Sequence, residues 1–175
     1  ELRAAGIQIS PIPGACAAIA ALSIAGIASD RFSFEGFLPA KASARRERLQ
    51  KLAGETRTLV FYESSHRIEE SLADMLNAFG ASREAVLARE LTKLFETVLD
   101  GTIAGILEKV AADANQRKGE FVLIISGAPE DDDADLREGK RLYSKLVEYM
   151  KPSQAAKVAA EISGAPRKAL YGGEL

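Results

Sequence analysis

The stretch TLVFYESSHR, residues 58–67, carries the clearest structural signal in the sequence, because an apolar run leads directly into five polar residues. Leu59 to Tyr62 are typical of a buried strand. The residues after them supply a carboxylate, two hydroxyls, the one histidine of the chain and an arginine. In open α/β sheets, ligands collect at the carboxyl ends of strands, because the loops there vary while the sheet stays rigid. The stretch therefore predicts a strand end that carries a polar site.

Strand-like runs alternate with helical patterns through the first 129 residues. Further strands are predicted at residues 7–12, 32–37, 85–90 and 120–126, and helices at 15–27, 43–52, 65–79 and 102–114. The unbroken apolar run Phe121 to Ile125 indicates a central strand that is covered on both faces. This alternation predicts a layered α/β fold with about five strands.

The composition fits one moderate domain with or without a small appendage. The chain has 175 residues and a net charge of -2. Its apolar fraction of 47% is sufficient for a packed core at this length. One cysteine excludes an internal disulfide framework, and no Cys/His cluster supports a zinc site, so no metal is expected. The longest apolar stretch, residues 15–28, is too short to span a membrane. We therefore expect a soluble cytoplasmic protein.

The domain organisation is predicted in four parts. The chain begins without methionine inside an α/β pattern, so residues 1–13 are expected to be a hinge at the end of a missing N-terminal domain. Residues 14–129 form the α/β domain. The acidic run at 130–136 predicts an open linker, because its charges repel one another. Residues 137–175 carry eight Lys and Arg against four Asp and Glu, and their short helices around a glycine predict a helix-turn-helix-like segment.

Two strand ends carry most of the candidate chemistry. After the first strand, Ser64 or Ser65 is expected to cap the next helix, which leaves Glu63, His66 and Arg67 as site candidates.

The strand at 85–90 repeats this pattern and delivers Arg89 and Glu90, followed by Lys93 and Glu96. Two neighbouring strand ends with both charge signs predict a polar pocket whose groups perturb each other's pKa values. The alternative is a set of surface ion pairs. Such pairs contribute about 0–1 kcal/mol each, so stability is a poor reason to gather them.

A basic helix and a turn of small residues are further candidates. The basic segment at residues 41–51 has five positive side chains and one negative side chain, Glu47, so it could hold a phosphate backbone or form a solvated face. The five are Lys41, Arg45, Arg46, Arg48 and Lys51. Pro13-Gly14 leads into a helix start of small residues that permits close approach of a polar ligand. Cys16 is expected to be a small buried thiol. The motifs of phosphate loops, zinc proteases and serine hydrolases are absent from the sequence.

Five segments together identify a family. They are PIPGACA (11–17), FSFEGFLPAK (32–41), TLVFYESSHR (58–67), ARELTKLFETVLDGTI (88–103) and GEFVLIISG (119–127). In this order and spacing they closely resemble the second half of the ribosomal RNA small subunit methyltransferase I family, within the tetrapyrrole methylase superfamily. The resemblance implies the second domain of that fold, a mixed sheet flanked by helices. The tail AAKVAAEISGAPRKALY (155–171) resembles the small C-terminal helical segment of the family.

The resemblance also implies a function. It implies transfer of a methyl group from S-adenosyl-L-methionine to the ribose 2′-hydroxyl of a cytidine in small-subunit (16S) ribosomal RNA, free or in the 30S subunit. Such enzymes are usually homodimers with the cofactor between two domains, so this chain alone is expected to be inactive. Two alternatives stay open: a nucleic-acid-binding module without catalysis, and a superfamily methylase that acts on a small molecule.

Site roles follow the matching positions and the chemistry of the reaction. The resemblance places cofactor contacts at Pro13, Gly14, Cys16, Ala17, Glu63 and Leu91; the family more often has Pro-Ser-Ala where this chain has Ala15-Cys16-Ala17. The ribose hydroxyl must lose a proton, so we predict Glu90 or Glu96 as general base and Lys93 as the group that stabilises the oxygen. The predicted RNA contacts are Lys41, Arg45, His66, Arg67 and Arg89.

Overall fold

The structure is a computed structural model that describes residues 1–129 and 133–170. Its backbone divides into two compact units, residues 1–128 and residues 129–175. We call them the sheet unit and the helical unit. Within the described ranges, no helix is long and apolar enough to cross a bilayer.

The sheet unit is built on a mixed five-stranded sheet, which confirms the predicted α/β fold. Its strands are β1 (Phe32–Phe37), β2 (Thr58–Ser64), β3 (Glu84–Arg89), β4 (Thr97–Thr102) and β5 (Glu120–Ile125). Their order across the sheet is β1-β2-β5-β3-β4. β1 and β2 are parallel, and the other neighbouring pairs are antiparallel. The apolar run of β5 lies in the middle of the sheet, as its sequence predicts.

Two strand predictions are wrong. Residues 7–12 form no strand and are exposed, because no strand of the described sheet lies beside them. β4 was not predicted. It is an edge strand that pairs only with β3, so its sequence TVLDGT needs few apolar residues.

Helices cover the two faces of the sheet unequally. α1 (Ala17–Ile24) packs on one face, and α2 (Ala42–Leu52), α3 (Ile68–Phe79) and α4 (Ile103–Ala112) pack on the other. Alternate strand residues divide between the two layers, with Phe61 facing the three helices and Val60 facing α1. The α1 face therefore has a thin cover, one helix of eight residues.

The connection from β2 to α3 differs from its prediction. α3 begins at Ile68 rather than at residue 65, and neither Ser64 nor Ser65 caps it. The residue at the N-cap is Arg67, whose backbone N–H donates to Ser64 O at 3.1 Å. Residues 65–67 thus form a turn between β2 and α3 instead of the first turn of the helix.

A buried ion pair fixes α2 to α3. Arg45 is 2% exposed, and its Nε donates to Asp74 Oδ2 at 2.6 Å. Its Nη2 donates to Glu70 Oε2 at 3.1 Å. This burial contradicts the predicted RNA contact of Arg45. The basic helix has a second role as well: Arg48 is paired with Glu35 on β1, also at 2.6 Å.

The helical unit contains three helices, α5 (Ala134–Leu146), α6 (Pro152–Ser163) and α7 (Arg167–Leu170). α6 ends at Gly164, which has φ +81°, a left-handed conformation that suits glycine. Gly139 of α5 packs closely against the turn between α6 and α7, where a Cβ would lie 2.8 Å from Ser163 Oγ. The absence of a side chain at Gly139 therefore allows α5 to pack closely against the end of α6.

The predicted acidic linker, residues 130–136, overlaps the start of α5. α5 begins at Ala134, so residues 134–136 are helical, because Leu136 packs into the core of the helical unit. Residues 130–132 of the predicted linker lie outside the described residues, as do residues 171–175 of the predicted helix-turn-helix-like segment.

We expect Asp74→Ala to destabilise the chain by about 3–5 kcal/mol, because it leaves the buried guanidinium of Arg45 without its nearest carboxylate. The matched control is Glu70→Ala, whose side chain is 69% exposed and which should cost under about 1 kcal/mol. Urea denaturation followed by circular dichroism measures both. Equal effects of the two substitutions would contradict the assignment of Asp74 as the main partner.

Candidate functional site

A groove of about 500 Å³ opens on the α1 side of the sheet. Its apolar surface comes from Ala17, Phe37, Tyr62, Ala88 and Val122. Its rim comes from residues 63–65 at the end of β2, residues 90, 91 and 93 after β3, and residues 119 and 120 at the start of β5. The groove thus brings together the two strand ends that were predicted to share a site.

These strand ends are not neighbours, which corrects the prediction. β5 lies between β2 and β3 and runs antiparallel to both, so its amino end enters the site between their carboxyl ends. Gly119 and Glu120 consequently line the groove. Sequence reasoning missed both residues. The run at 121–125 predicts a central strand but does not show its direction.

Glu63 and Arg67 stabilise the turn after β2. Glu63 is buried, its Oε1 accepts from Ser64 N at 2.8 Å and pairs with Arg67 Nη2 at 2.9 Å, and its Oε2 accepts from Ser71 Oγ at 2.6 Å. Arg67 also donates to Leu38 O at 3.1 Å. Both carboxylate oxygens of Glu63 are therefore engaged within the protein, although the residue lines the groove.

The loop after β3 has a strained backbone. Glu90 and Thr92 have φ values of 49° and 63°, in the left-handed region that non-glycine residues seldom adopt. Thr92 N donates to Glu96 Oε2 at 2.6 Å, so Glu96 closes the loop. Glu96 does not line the groove. Strain of this kind costs of order 1–3 kcal/mol per residue and clusters at functional sites.

Glu90, Lys93 and Glu120 form a charged cluster at the rim. Lys93 Nζ donates to Glu90 Oε1 and to Glu120 Oε2, each at 2.9 Å. The hydrogen bond from Lys93 lowers the pKa of Glu90, and the bonds to Glu120 and Glu90 raise the pKa of Lys93. Lys93 Nζ therefore lies between the carboxyl groups of Glu90 and Glu120.

Gly119 allows the side chain of Glu90 to lie across the start of β5. Glu90 Oε1 accepts from Glu120 N at 2.8 Å. A Cβ on Gly119 would lie 2.5 Å from Glu90 Cγ, and the φ of Gly119, +103°, disfavours other residues. Both features favour glycine at this position.

Arg89 is buried and holds two loops. Its Nε donates to Lys118 O at 2.7 Å, and its Nη1 donates to Phe95 O at 3.0 Å and to Thr97 Oγ1 at 3.3 Å. These bonds engage its guanidinium within the protein, and the residue also lines a second pocket with Phe95 and Lys118.

The other predicted residues are spread over the surface. Cys16 is exposed, so the prediction of a buried thiol is wrong; backbone N–H groups of Ile19 and Ala18 at the start of α1 lower its pKa. Of the residues predicted near this turn, Ala17 lines the groove, whereas Pro13, Gly14 and Cys16 do not.

The predicted RNA contacts Lys41 and His66 are exposed away from the groove lining. His66 lines a different pocket with Glu69 and Arg117. Among the residues that the structure describes, no group of three His, Cys, Asp or Glu side chains is placed to hold a metal ion.

Comparison with known families identifies the fold. Residues 1–107 match the family described as Tetrapyrrole (Corrin/Porphyrin) Methylases, which is more than half of the chain. The chain belongs to the tetrapyrrole methylase family. Residues 131–172 of this tetrapyrrole methylase match a second family, described as the RsmI C-terminal HTH domain.

Curated relatives of this tetrapyrrole methylase share one name. Ribosomal RNA small subunit methyltransferase I of Xylella fastidiosa (strain Temecula1 / ATCC 700964) is 63% identical over 98% of this chain and 63% of its own length. The protein of the same name from Pseudomonas aeruginosa is 50% identical over 98% of this chain and 61% of its own length. The chain thus spans about six-tenths of the length of these relatives.

Solved structures of methyltransferases share the fold. The methyltransferase CobJ has a TM-score of 0.51 and 20% identity, over 73% of this chain and 56% of its own. Cobalt precorrin-4 methyltransferase CbiF has a TM-score of 0.50 and 19% identity, over 71% of this chain and 54% of its own. At such low identity the likeness concerns the fold of the tetrapyrrole methylases alone.

We expect Gly119→Ala to lower stability by about 1–3 kcal/mol, because the new Cβ collides with Glu90 and the backbone is left-handed. Gly54→Ala is the matched control, since a Cβ there meets no atom within 4 Å. Urea titration of both variants provides the comparison. A Gly119→Ala chain as stable as the wild type would show that Glu90 does not occupy this position.

The Glu90–Lys93 pair should stabilise the chain across neutral pH. The lowered pKa of Glu90 gives a contribution that is present above its unfolded value of about 4.3 and is lost as pH falls through the folded pKa. The raised pKa of Lys93 gives a contribution that is complete below about 10.4 and is lost as pH rises through the folded pKa.

The difference in thermal midpoint between wild type and Lys93→Gln should therefore be constant from about pH 5 to 10 and shrink at both extremes. Lys109→Gln serves as control, because Lys109 Nζ is directed to the backbone oxygen of Asp100 instead of a carboxylate. Melting curves between about pH 3 and 11 test this. A difference that does not decrease in acid would contradict the pairing.

Proposed function

We propose that this chain is part of an S-adenosyl-L-methionine-dependent methyltransferase that modifies the ribose 2′-hydroxyl of a cytidine in small-subunit ribosomal RNA. The observation that supports this most is the groove in which the ends of β2, β3 and β5 meet. It occurs in a chain that is 63% identical to a ribosomal RNA small subunit methyltransferase I. The proposal extends to the 30S subunit as substrate, to a homodimer and to the cytoplasm.

The residues of the groove fit the methyl donor. A volume of about 500 Å³ lies in the range of small-ligand pockets, and its apolar floor with Phe37 and Tyr62 suits an adenine ring. The small side chain of Ala17 keeps the start of α1 open. We assign Ala17, Tyr62 and Leu91 to hold the cofactor. When bound, S-adenosyl-L-methionine supplies a methyl group on a positively charged sulfur.

Lys93 is proposed to stabilise the acceptor oxygen. Its ammonium lies at the rim of the groove and is held by Glu90 and Glu120, so it is positioned before substrate binds. A fixed positive charge beside the ribose hydroxyl favours the negative charge that develops as the proton leaves.

Glu90 is proposed to accept the proton. Of the two predicted bases, Glu90 lines the groove and Glu96 does not. The lowered pKa of Glu90 makes it a weak base. The charge of Lys93 compensates for this weakness, because it also lowers the pKa of a hydroxyl placed beside it.

The remaining cations are proposed to position the RNA. Arg45, Arg67 and Arg89 are engaged within the protein, which leaves Lys41 and His66 as the exposed members of the predicted set. Contacts of this kind orient the backbone without reading its sequence. We also propose that turnover needs the part of the relatives' length that this chain does not match, and that this chain alone binds the cofactor weakly.

A nucleic-acid-binding role without catalysis is the second candidate. The match of residues 131–172 to a helix-turn-helix domain favours it. Salt-sensitive RNA binding that needs the helical unit, together with no binding of S-adenosyl-L-methionine in the groove, would support this role instead.

We expect two substitutions to separate cofactor binding from chemistry, in the chain extended to the length of its relatives. Lys93→Ala should lower kcat by about 10²–10³-fold with little change in cofactor Kd, because it removes charge stabilisation. Ala17→Leu should raise the cofactor Kd at least about tenfold by filling the groove. Tritium transfer from labelled S-adenosyl-L-methionine to 30S subunits and calorimetry measure the two effects.

Two exposed positions provide controls for this experiment. Lys109→Ala removes a lysine that is remote from the rim cluster, and Ala111→Leu enlarges an exposed alanine of α4. Neither should change turnover or affinity. Unchanged kcat in Lys93→Ala would remove the assignment of Lys93, and the absence of any methyl transfer by the extended wild type would reject the proposed function.

A further inference from the structure

We propose that a second pocket, which we call the loop pocket, binds the unstacked base of the nucleotide to be modified. It has a volume of about 530 Å³ and is lined by Arg89, Glu90, Phe95, Asn115, Lys118 and Gly119. The inference rests on the proposed function and adds to it a site for the RNA base.

The loop pocket adjoins the groove. Glu90 and Gly119 line both cavities, so the Glu90 side chain, which lies across Gly119, forms their common wall. A transfer reaction requires that donor and acceptor be held in contact. A base in the loop pocket would place its ribose near the Glu90–Lys93 pair, at the rim of the groove.

Phe95 supplies the surface on which a base can stack. Its side chain is 65% exposed, in a loop whose backbone is strained at Glu90 and Thr92. A phenylalanine in this position contributes little to the core. Unstacked bases are commonly bound on aromatic rings, and stacking tolerates every base because each has a π face.

Hydrogen bonds from Arg89 hold the loop that carries Phe95 in place. It donates to the backbone oxygen of Phe95 from one side and to that of Lys118 from the other, at 3.0 and 2.7 Å. These two residues lie on opposite loops of the pocket. Arg89 is therefore a positioning residue, which accounts for a buried arginine at the end of β3.

The second loop has groups that suit a nucleotide. Asn115 offers an amide, which can bond to the edge of a base, and Lys118 offers an exposed ammonium for a phosphate. Lys118 Nζ donates to Asn115 Oδ1 at 3.1 Å, so the two side chains lie together. The cavity therefore offers an aromatic ring for stacking, an amide for a base edge and a cation for a phosphate.

The test uses an eight-residue oligoribonucleotide with a central pyrrolocytidine, whose fluorescence is quenched by stacking. Wild-type chain should quench it, and Phe95→Ala should weaken binding about 5- to 150-fold and abolish the quenching. Phe95→Trp should retain both. Leu94→Ala is the matched control, because Leu94 is 89% exposed on the same loop but does not line the pocket.

Lys118→Gln should weaken binding and leave the quenching intact. It should also reduce the slope of the logarithm of the binding constant against the logarithm of salt concentration by about one. The loop pocket is rejected if wild-type chain gives no quenching, or if Phe95→Ala behaves as Leu94→Ala does. Phe95-dependent quenching without methyl transfer by the extended chain would reject the proposed function and support the base site.

Discussion

The antiparallel insertion of β5 between β2 and β3 is the constraint on which the site depends. Two strands that both pair with an antiparallel partner run in the same direction, so their carboxyl ends lie at one edge of the sheet. The amino end of β5 lies between them and adds Gly119 and Glu120. This arrangement places Lys93 between Glu90, which follows β3, and Glu120, which begins β5.

The unequal covering of the sheet determines where the site can open. Three helices and the larger core occupy one face, where Glu63 and Arg45 are buried with partners from α3. The other face has α1 alone, and its alanines leave the strand ends accessible. Charged residues thus have two roles in this fold. Those on the covered face hold elements together, whereas those at the open edge are available to ligands.

Local sequence patterns predicted the parts of the fold that local forces determine. The strands β2, β3 and β5 were predictable because each is an apolar run. The helix α3 was predictable because its buried residues recur at helical spacing, at Ile68, Leu72, Met75 and Phe79. The shared groove followed from the polar residues at strand ends. β4 and the roles of Arg45, Arg89 and Glu120 were not predictable, because they depend on pairing with residues distant in the chain.

The position of β5 also affects how the polypeptide acquires its structure. β1 with β2, and β3 with β4, make two separate ribbons, and each has an inner edge of unpaired backbone groups until the last strand arrives. β5 is the last of the five strands along the chain, so during synthesis both ribbons form before it and have edges open to association. Formation of the groove edge is consequently a late event that coincides with closure of the sheet.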